Sequence, residues 1–317
     1  MNTPSTHSPV LVLDVGGTKI AAGVMTADHT VHCRQEISTL AQAGATAILN
    51  RAIELGRQVL GRFAQAYAHF GAPAAIGLAS AGYIDSATGS VLFATDNLPG
   101  WTGQSLGEQI GAAFGLPAFV ENDAACFALA EATLGAGRPY RHVLVVAVGT
   151  GVGAGIVIDG ALYTGWQGRA GAVGHLCIVP VDGRPCSCGL QGCLESYTAT
   201  RIIVAEGGFS TIQALAAAYG RGQSVPAVDD AAHWLGIGLA SLAHTLGPQA
   251  IVIGGSVGLL GERYLDQVRQ SFNCYTMPSH RAISLLPAQL AADSGLLGAG
   301  VLAWRGQGLM VASVVGS

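Results

Sequence analysis

The sequence predicts an α/β protein made of two related halves, and three observations carry that expectation. Leu11–Met25, "LVLDVGGTKIAAGVM", and Leu144–Ile158, "LVVAVGTGVGAGIVI", lie 133 positions apart and share one plan: a β-rich apolar run, a glycine turn carrying a threonine, and a second apolar run. Runs of Val, Leu and Ile bounded by glycines read as buried strands. Around these hairpins, strand-like and helix-like patterns alternate, which is α/β patterning. At 317 residues the chain is long for a single core, so two lobes are expected.

The elements follow in order. Residues 45–70, "ATAILNRAIELGRQVLGRFAQAYAHF", place apolar residues at helical spacing. Residues 74–85, "AAIGLASAGYID", read as a strand and turn. In residues 116–135, "LPAFVENDAACFALAEATLG", a strand ends at Val120 and a helix starts near Asn122 or Asp123, both good caps. "IQALAAAYG" and "DDAAHWLGIGLASLAHTLG" read as helices, "AIVIGGSV" as a strand and glycine turn, and "LLGERYLDQVRQSF" and "SGLLGAGVLAW" as the last two helices. We therefore expect an N-terminal lobe over 1–121, a C-terminal lobe over 122–292, and a closing helix in 293–317 that returns to the first lobe.

Hydrophobic residues make up 50% of the chain and charged ones 11%, which fits a globular protein rather than a disordered one. The net charge of −4 offers no basic surface for nucleic acid. "MNTPSTHSPV" lacks a basic region before an apolar run, and the apolar stretch from Val143 is broken by glycines. Neither a signal peptide nor a membrane span is expected, and the expected location is cytoplasmic. Of seven cysteines, Cys33, Cys126, Cys177 and Cys274 are scattered, so a secreted disulfide framework is not expected.

The chemistry-bearing stretches each have two readings. "DVGGTK", Asp14–Lys19, offers glycine amides that can approach an anion, with Asp14 able to hold Mg2+ through water; otherwise it is an ordinary hairpin. In the second hairpin Gly149, Thr150 and Gly151 repeat the turn, while Asp14 aligns with Ala147. The repeat thus keeps the anion-friendly backbone and drops a carboxylate that would repel a phosphate. "GGSVG", from Gly254 and Gly255, is either a seat for a flat nucleoside or a plain strand-to-helix turn. In "ENDAA", Asp123 is either a helix cap or a general base, with Asn122 beside it to bond a substrate.

"GHLCIVPVDGRPCSCGLQGCLE" is the most specific stretch. His175, Cys186, Cys188 and Cys193 form a Cys3His set suited to tetrahedral Zn2+, with unligated thiols as the alternative. Four protein ligands close such a site, so the metal would be structural.

Together these stretches resemble the ROK family of sugar kinases and related repressors, from Asp14 to about Trp304. "LDVGGTK" and "VGTGVGAGI" look like its two phosphate loops, and "PCSCGLQGCLE" like its cysteine-rich signature. The resemblance implies the two-lobed actin-like (RNase H-like) ATPase fold with ATP and a small sugar between lobes, Mg2+, a structural zinc and a homodimer. It implies Asp123 as the base for a sugar 6-hydroxyl. Gly82, Thr95, Asn122, His175 and Glu195 would contact sugar; Asp14, Gly16, Gly17, Thr18, Lys19, Gly149, Thr150, Gly151, Gly254 and Gly255 would bind ATP.

There is one departure: the family pattern "ExGH" reads "AVGH" here, with Ala172 in place of a sugar-binding Glu. That leaves space beside C2 for an acetamido group. The C-terminal region also looks most like bacterial N-acetylmannosamine kinases, so N-acetylmannosamine is the expected substrate ahead of N-acetylglucosamine and glucose. The family's repressors carry a helix-turn-helix ahead of the kinase-like part, and thirteen residues before Asp14 are too few for one.

Overall fold

The computed structural model describes residues 8–95, 97–290 and 293–308. The described residues divide into two compact units. The first contains the residues up to Thr133, Thr164–Ala170 and those after Ala292; the second contains Leu134–Tyr163 and the described residues from Gly171 to Leu290.

The first unit starts with the antiparallel ribbon β1 (Val10–Val15), β2 (Lys19–Met25) and β3 (Val31–Ser38). Helix α1 (Ala45–Ala66) follows, then β4 (Ala75–Ser80), a short pair β5 (Tyr83–Asp85) and β6 (Ser90–Phe93), α2 (Leu106–Phe114), β7 (Ala118–Asn122) and α3 (Asp123–Leu134). The sheet order is β3-β2-β1-β4-β7, with β4 and β7 parallel to β1. Strand β1 is buried along both faces, as strands covered by helices on each side must be. Leu11, Leu13 and Val15 join Ile48, Leu55, Val59 and Phe63 of α1 in one core. Val12 points the other way and sits by Gly300 of the chain's last helix.

The second unit repeats the first. Strands β8 (Val143–Val148), β9 (Val152–Ile158) and β10 (Ala161–Tyr163) form its antiparallel ribbon. The cysteine-rich loop leads into α4 (Glu195–Thr198), α5 (Thr200–Glu206), α6 (Ile212–Gly220) and α7 (Pro226–Leu246). Strand β11 (Ala250–Gly254), α8 (Gly261–Tyr275) and β12 (Ser284–Pro287) complete it. The order β10-β9-β8-β11-β12 matches the first sheet strand for strand. Asp14 pairs with Ala21 and Ala147 with Gly153, each one step before the last ribbon pair. The alignment of Asp14 with Ala147 is therefore a structural equivalence.

The last helix, α9 (Ser294–Gly306), packs on the first unit. It does so through glycines: a methyl on Gly77 of β4 would overlap the Ala299 carbonyl, and one on Gly298 would overlap the Cys126 carbonyl of α3. The first unit runs through α3 to Thr133, beyond the boundary expected from the sequence at 121/122. Two smaller differences follow from local geometry. Strand β7 runs on to Asn122, where pairing with Ser80 continues, and α1 ends at Ala66 before a separate 3-10 turn, Ala68–Phe70. No helix among the described residues is long and apolar enough to cross a membrane.

Candidate functional site

In the first unit the β1–β2 turn is closed by its own backbone, Gly16 N–H donating to Lys19 O at 3.0 Å. Buried Thr39 ties it down: its hydroxyl donates to Gly16 O at 2.7 Å and its amide to Thr18 O at 2.9 Å. Neither Gly16 nor Gly17 takes a positive φ. Their value is room, since nothing lies within 4 Å of where a Gly17 side chain would start. Lys19 does not stand free: its ammonium pairs with Glu36 at 3.0 Å, Glu36 with Arg34 at 3.1 Å, and Arg34 with Asp293 at 2.7 Å. That chain of charges links the turn to the start of α9.

Asp14 lies at the end of β1, with Gly295 of α9 against its carboxylate; any methyl there would overlap Oδ2. Burial, then the charge of Asp123, pushes its pKa up to about 6, against the pull of Lys19. Asp123 opens α3. Crowding by protein raises its pKa too, while hydrogen bonds from the Ala124 amide (2.8 Å) and Asn122 oppose the shift; its side chain still keeps an open face to solvent. The helix cap is Asn122, whose Oδ1 accepts from Ala124 N at 2.9 Å and Ala125 N at 3.2 Å. Asp123 is therefore not the cap, although its Oδ1 shares the Ala124 N–H with Asn122. Asn122 Nδ2 donates to Gly82 O at 2.7 Å, which leaves one amide N–H for a ligand. Gly82 itself has φ of 102° and would meet Phe93 O if it carried a side chain, so only glycine fits there. Glu121 is buried and held by Ser86 (2.6 Å) and the Asn122 amide (2.8 Å); burial raises its pKa. Thr95 is exposed beyond β6.

In the second unit the β8–β9 turn is bracketed from three sides. Gly149 O accepts from Thr200 N at 2.8 Å, Thr150 O from Arg201 Nε at 3.0 Å, and the Val152 amide donates to Glu195 Oε2 at 2.9 Å. Glu195 Oε1 accepts from Ser187 (3.1 Å) and Arg201 (3.3 Å). A side chain on Gly151 would start 2.8 Å from Glu195 Oε2, so glycine here serves close approach, with no positive φ. Gly255 does take a positive φ, 82°, and lies against the Val148 carbonyl, while Ser256 Oγ meets Thr200 Oγ1 at 3.1 Å. Gly254 ends β11 beside Ala147.

The cysteine-rich loop supplies the fourth part. Ligand atoms of His175, Cys186, Cys188 and Cys193 all lie within 4.8 Å of one another. His175 Nδ1 is 3.7 Å from Cys186 Sγ, and Cys188 Sγ is 3.7 Å from Cys193 Sγ. A tetrahedral ion with metal–sulfur bonds of about 2.3 Å needs sulfurs about 3.8 Å apart, so the donor set fits zinc. Burial resists ionisation of Cys186, but hydrogen bonds from Cys188, Ser196 and His175 outweigh it and hold its pKa to about 6. His175 is anchored from behind, because Gly171 and Gly174 run tight against the Ala154 and Val152 carbonyls of β9. Ala172 sits between them.

The structure thus brings together Asp14, Asp123, Asn122 and Gly82 in one unit. In the other it joins Gly149, Thr150, Gly151 and Glu195, with Cys193, the last member of the Cys3His set, two residues before Glu195. Thr39, Ser187, Thr200, Arg201 and Gly295 also build these sites and carried no motif. Thr39, Thr200 and Gly295 meet partners far along the chain, while Ser187 and Arg201 lie within eight residues of Glu195, and no spacing rule marks any of them.

The ROK family model matches residues 10–305. A glucokinase of Halalkalibacterium halodurans is 33% identical over 92% of this chain and 93% of its own. An N-acetylmannosamine kinase of Citrobacter koseri is 36% identical over 92% of this chain and 98% of its own. The crystal structure of a ROK family glucokinase from Streptomyces griseus in complex with glucose and AMPPNP matches with TM-score 0.80 and 31% identity, over 94% of this chain and 99% of that one. The fold is the actin-like ATPase fold that the sequence implied. With the family model spanning nearly the whole chain and the duplicated sheets behind it, this protein belongs to the ROK family.

Proposed function

We propose that the protein transfers the γ-phosphoryl group of ATP to the 6-hydroxyl of a hexose or N-acetylhexosamine. The observation that carries this reading is the placement of two carboxylates in one unit: Asp14 at the end of β1 beside an open glycine turn, and Asp123 at the head of α3, where Asn122 is the cap. Asp123 would accept the hydroxyl proton, a role worth about 10²–10⁴ in rate. Asp14 would hold Mg2+ through water, and the two glycine turns would place backbone amides near phosphate oxygens. Most of the catalysis would come from positioning and charge stabilisation.

For the sugar, we favour N-acetylmannosamine, with N-acetylglucosamine and glucose as alternatives; relatives named for glucose and for N-acetylmannosamine are similarly close. Ala172 supports the choice. Gly171 and Gly174 pin its segment to β9, so the chain cannot easily shift to fill the space a glutamate would occupy. His175 and Glu195 would face the sugar, held by zinc on one side and by Val152, Ser187 and Arg201 on the other. The cluster would carry a structural zinc, and the active species would be a homodimer.

The reading is tested by incubating the protein with ATP, Mg2+ and N-acetylmannosamine and locating the phosphate on the product by NMR. A 6-phosphate is expected; phosphate elsewhere on the ring, or none, refutes it. Metal analysis should find about one zinc per chain.

A further inference from the structure

We propose that Cys177 is a peroxide-reactive modification site whose disulfide partner is Cys193, so that oxidation withdraws a ligand from the Cys3His cluster. The inference rests on the zinc reading for its consequence, but not for its geometry. Cys177 and Cys193 face each other in an isolated antiparallel bridge. The bridge is framed by Ile178 N donating to Gly192 O at 2.8 Å and Leu194 N donating to Leu176 O at 2.9 Å. That pattern marks Cys177 and Cys193 as a non-hydrogen-bonded pair, for which the Cα–Cα separation is about 4.5 Å. Opposed residues send their side chains to the same face. A disulfide spans Cα separations of about 4.4–6.8 Å, so the backbone already satisfies the bond.

The two thiols differ in a useful way. Cys193 is fully buried and sits among the ligands, 3.7 Å from Cys188 Sγ. Cys177 is exposed, stands outside the four-ligand set, and its thiol donates to the Gln191 carbonyl at 3.9 Å. Of these two, peroxide therefore meets Cys177 first. Its sulfur attacks one peroxide oxygen, the O–O bond breaks, and sulfenic acid and water form. The Cys193 sulfur then attacks the Cys177 sulfur and expels the second oxygen as water. Overall two thiols and one hydrogen peroxide give one disulfide and two waters, and a thiol reductant reverses it.

Losing Cys193 leaves His175, Cys186 and Cys188. Cys193 is also two residues before Glu195, the carboxylate that holds the second glycine turn. Oxidation would thus loosen the metal and the turn together.

The experiment treats purified protein with hydrogen peroxide, maps disulfides by mass spectrometry, and follows released zinc with a chromogenic chelator. A Cys177–Cys193 cross-link should appear in step with zinc release, and dithiothreitol with added zinc should reverse both. Cys177→Ser should keep its zinc and its unoxidised activity. Its peroxide-driven release should be at least about tenfold slower, because a neighbouring thiol acts at millimolar or higher effective concentration. Cys177→Ala should behave the same. Cross-links confined to Cys186, Cys188 and Cys193, or wild-type release from Cys177→Ser, would overturn the proposal. Protein purified without zinc would defeat the metal reading alone, since the peptide map still decides whether the bond forms.

Discussion

Replacing Glu195 tests the bracket around the second glycine turn. The carboxylate has 11% of its surface exposed and takes three donors: the buried Val152 amide, Ser187 and Arg201. In Glu195→Ala the Val152 amide is left buried without an acceptor, at a cost of about 1–3 kcal/mol. The Arg201 side chain is 42% exposed, so losing that ion pair adds under about 1 kcal/mol. Ser187 is exposed and turns to water. The sum is about 1–4 kcal/mol, which at about 2–4 °C per kcal/mol for a unit of this size lowers Tm by about 2–16 °C. Glu195→Gln behaves differently. Its amide oxygen can stay on the Val152 N–H while its NH2 faces Ser187, whose hydroxyl can also accept, so only the Arg201 bond is lost. A drop of no more than about 1 kcal/mol, or about 2–4 °C, is expected. Calorimetric melts of both variants at neutral pH decide it. Equal melting losses in the two, or an alanine variant as stable as wild type, would show that the Val152 bond is not the element that matters.

Four further outcomes follow. Asp123→Asn should lower kcat by about 10²–10⁴ while sugar affinity, read by calorimetric titration, stays within a few-fold. Gly295→Ala should push Asp14 aside and lower kcat without greatly changing sugar affinity, as steady-state kinetics and titration together will show. Asp14 gives a pH signature. Its folded pKa, about 6, lies above its ordinary value of 3.8, so its stabilising contribution is full below pH 3.8 and is lost as pH rises through 6. Without Mg2+ and nucleotide, Asp14→Asn should therefore melt above wild type at pH 7–8, with the difference vanishing by about pH 4. Chelation should release the metal and abolish sugar binding, because binding energy at such a site is also folding energy; metal-free protein with unchanged affinity would contradict the role given to the cluster.

The duplicated hairpins were legible because glycine and β-branched residues leave strong local marks, and the Cys-x-Cys-x4-Cys run because metal ligands must cluster. The division between units was not legible. Gly77 and Gly298 let α9 come close to β4 and α3, contacts made between residues far apart in the chain. Sequence alone offered both Asn122 and Asp123 as the cap; the hydrogen bonds give it to Asn122. The glycines of the two turns serve open space at Gly17 and close approach at Gly151, a difference the sequence does not mark. Arg201 bonds Thr150 and Glu195 through a fold that brings α5 to the β8–β9 turn, and nothing local announces that.

The central claim is that this site phosphorylates a 2-acetamido sugar in preference to glucose. The most direct measurement is kcat/KM from coupled ADP release with N-acetylmannosamine, N-acetylglucosamine, glucose and mannose. The account predicts the highest value with N-acetylmannosamine. A higher value with glucose would contradict the part assigned to Ala172, and an absence of ADP release with every sugar would contradict the kinase itself.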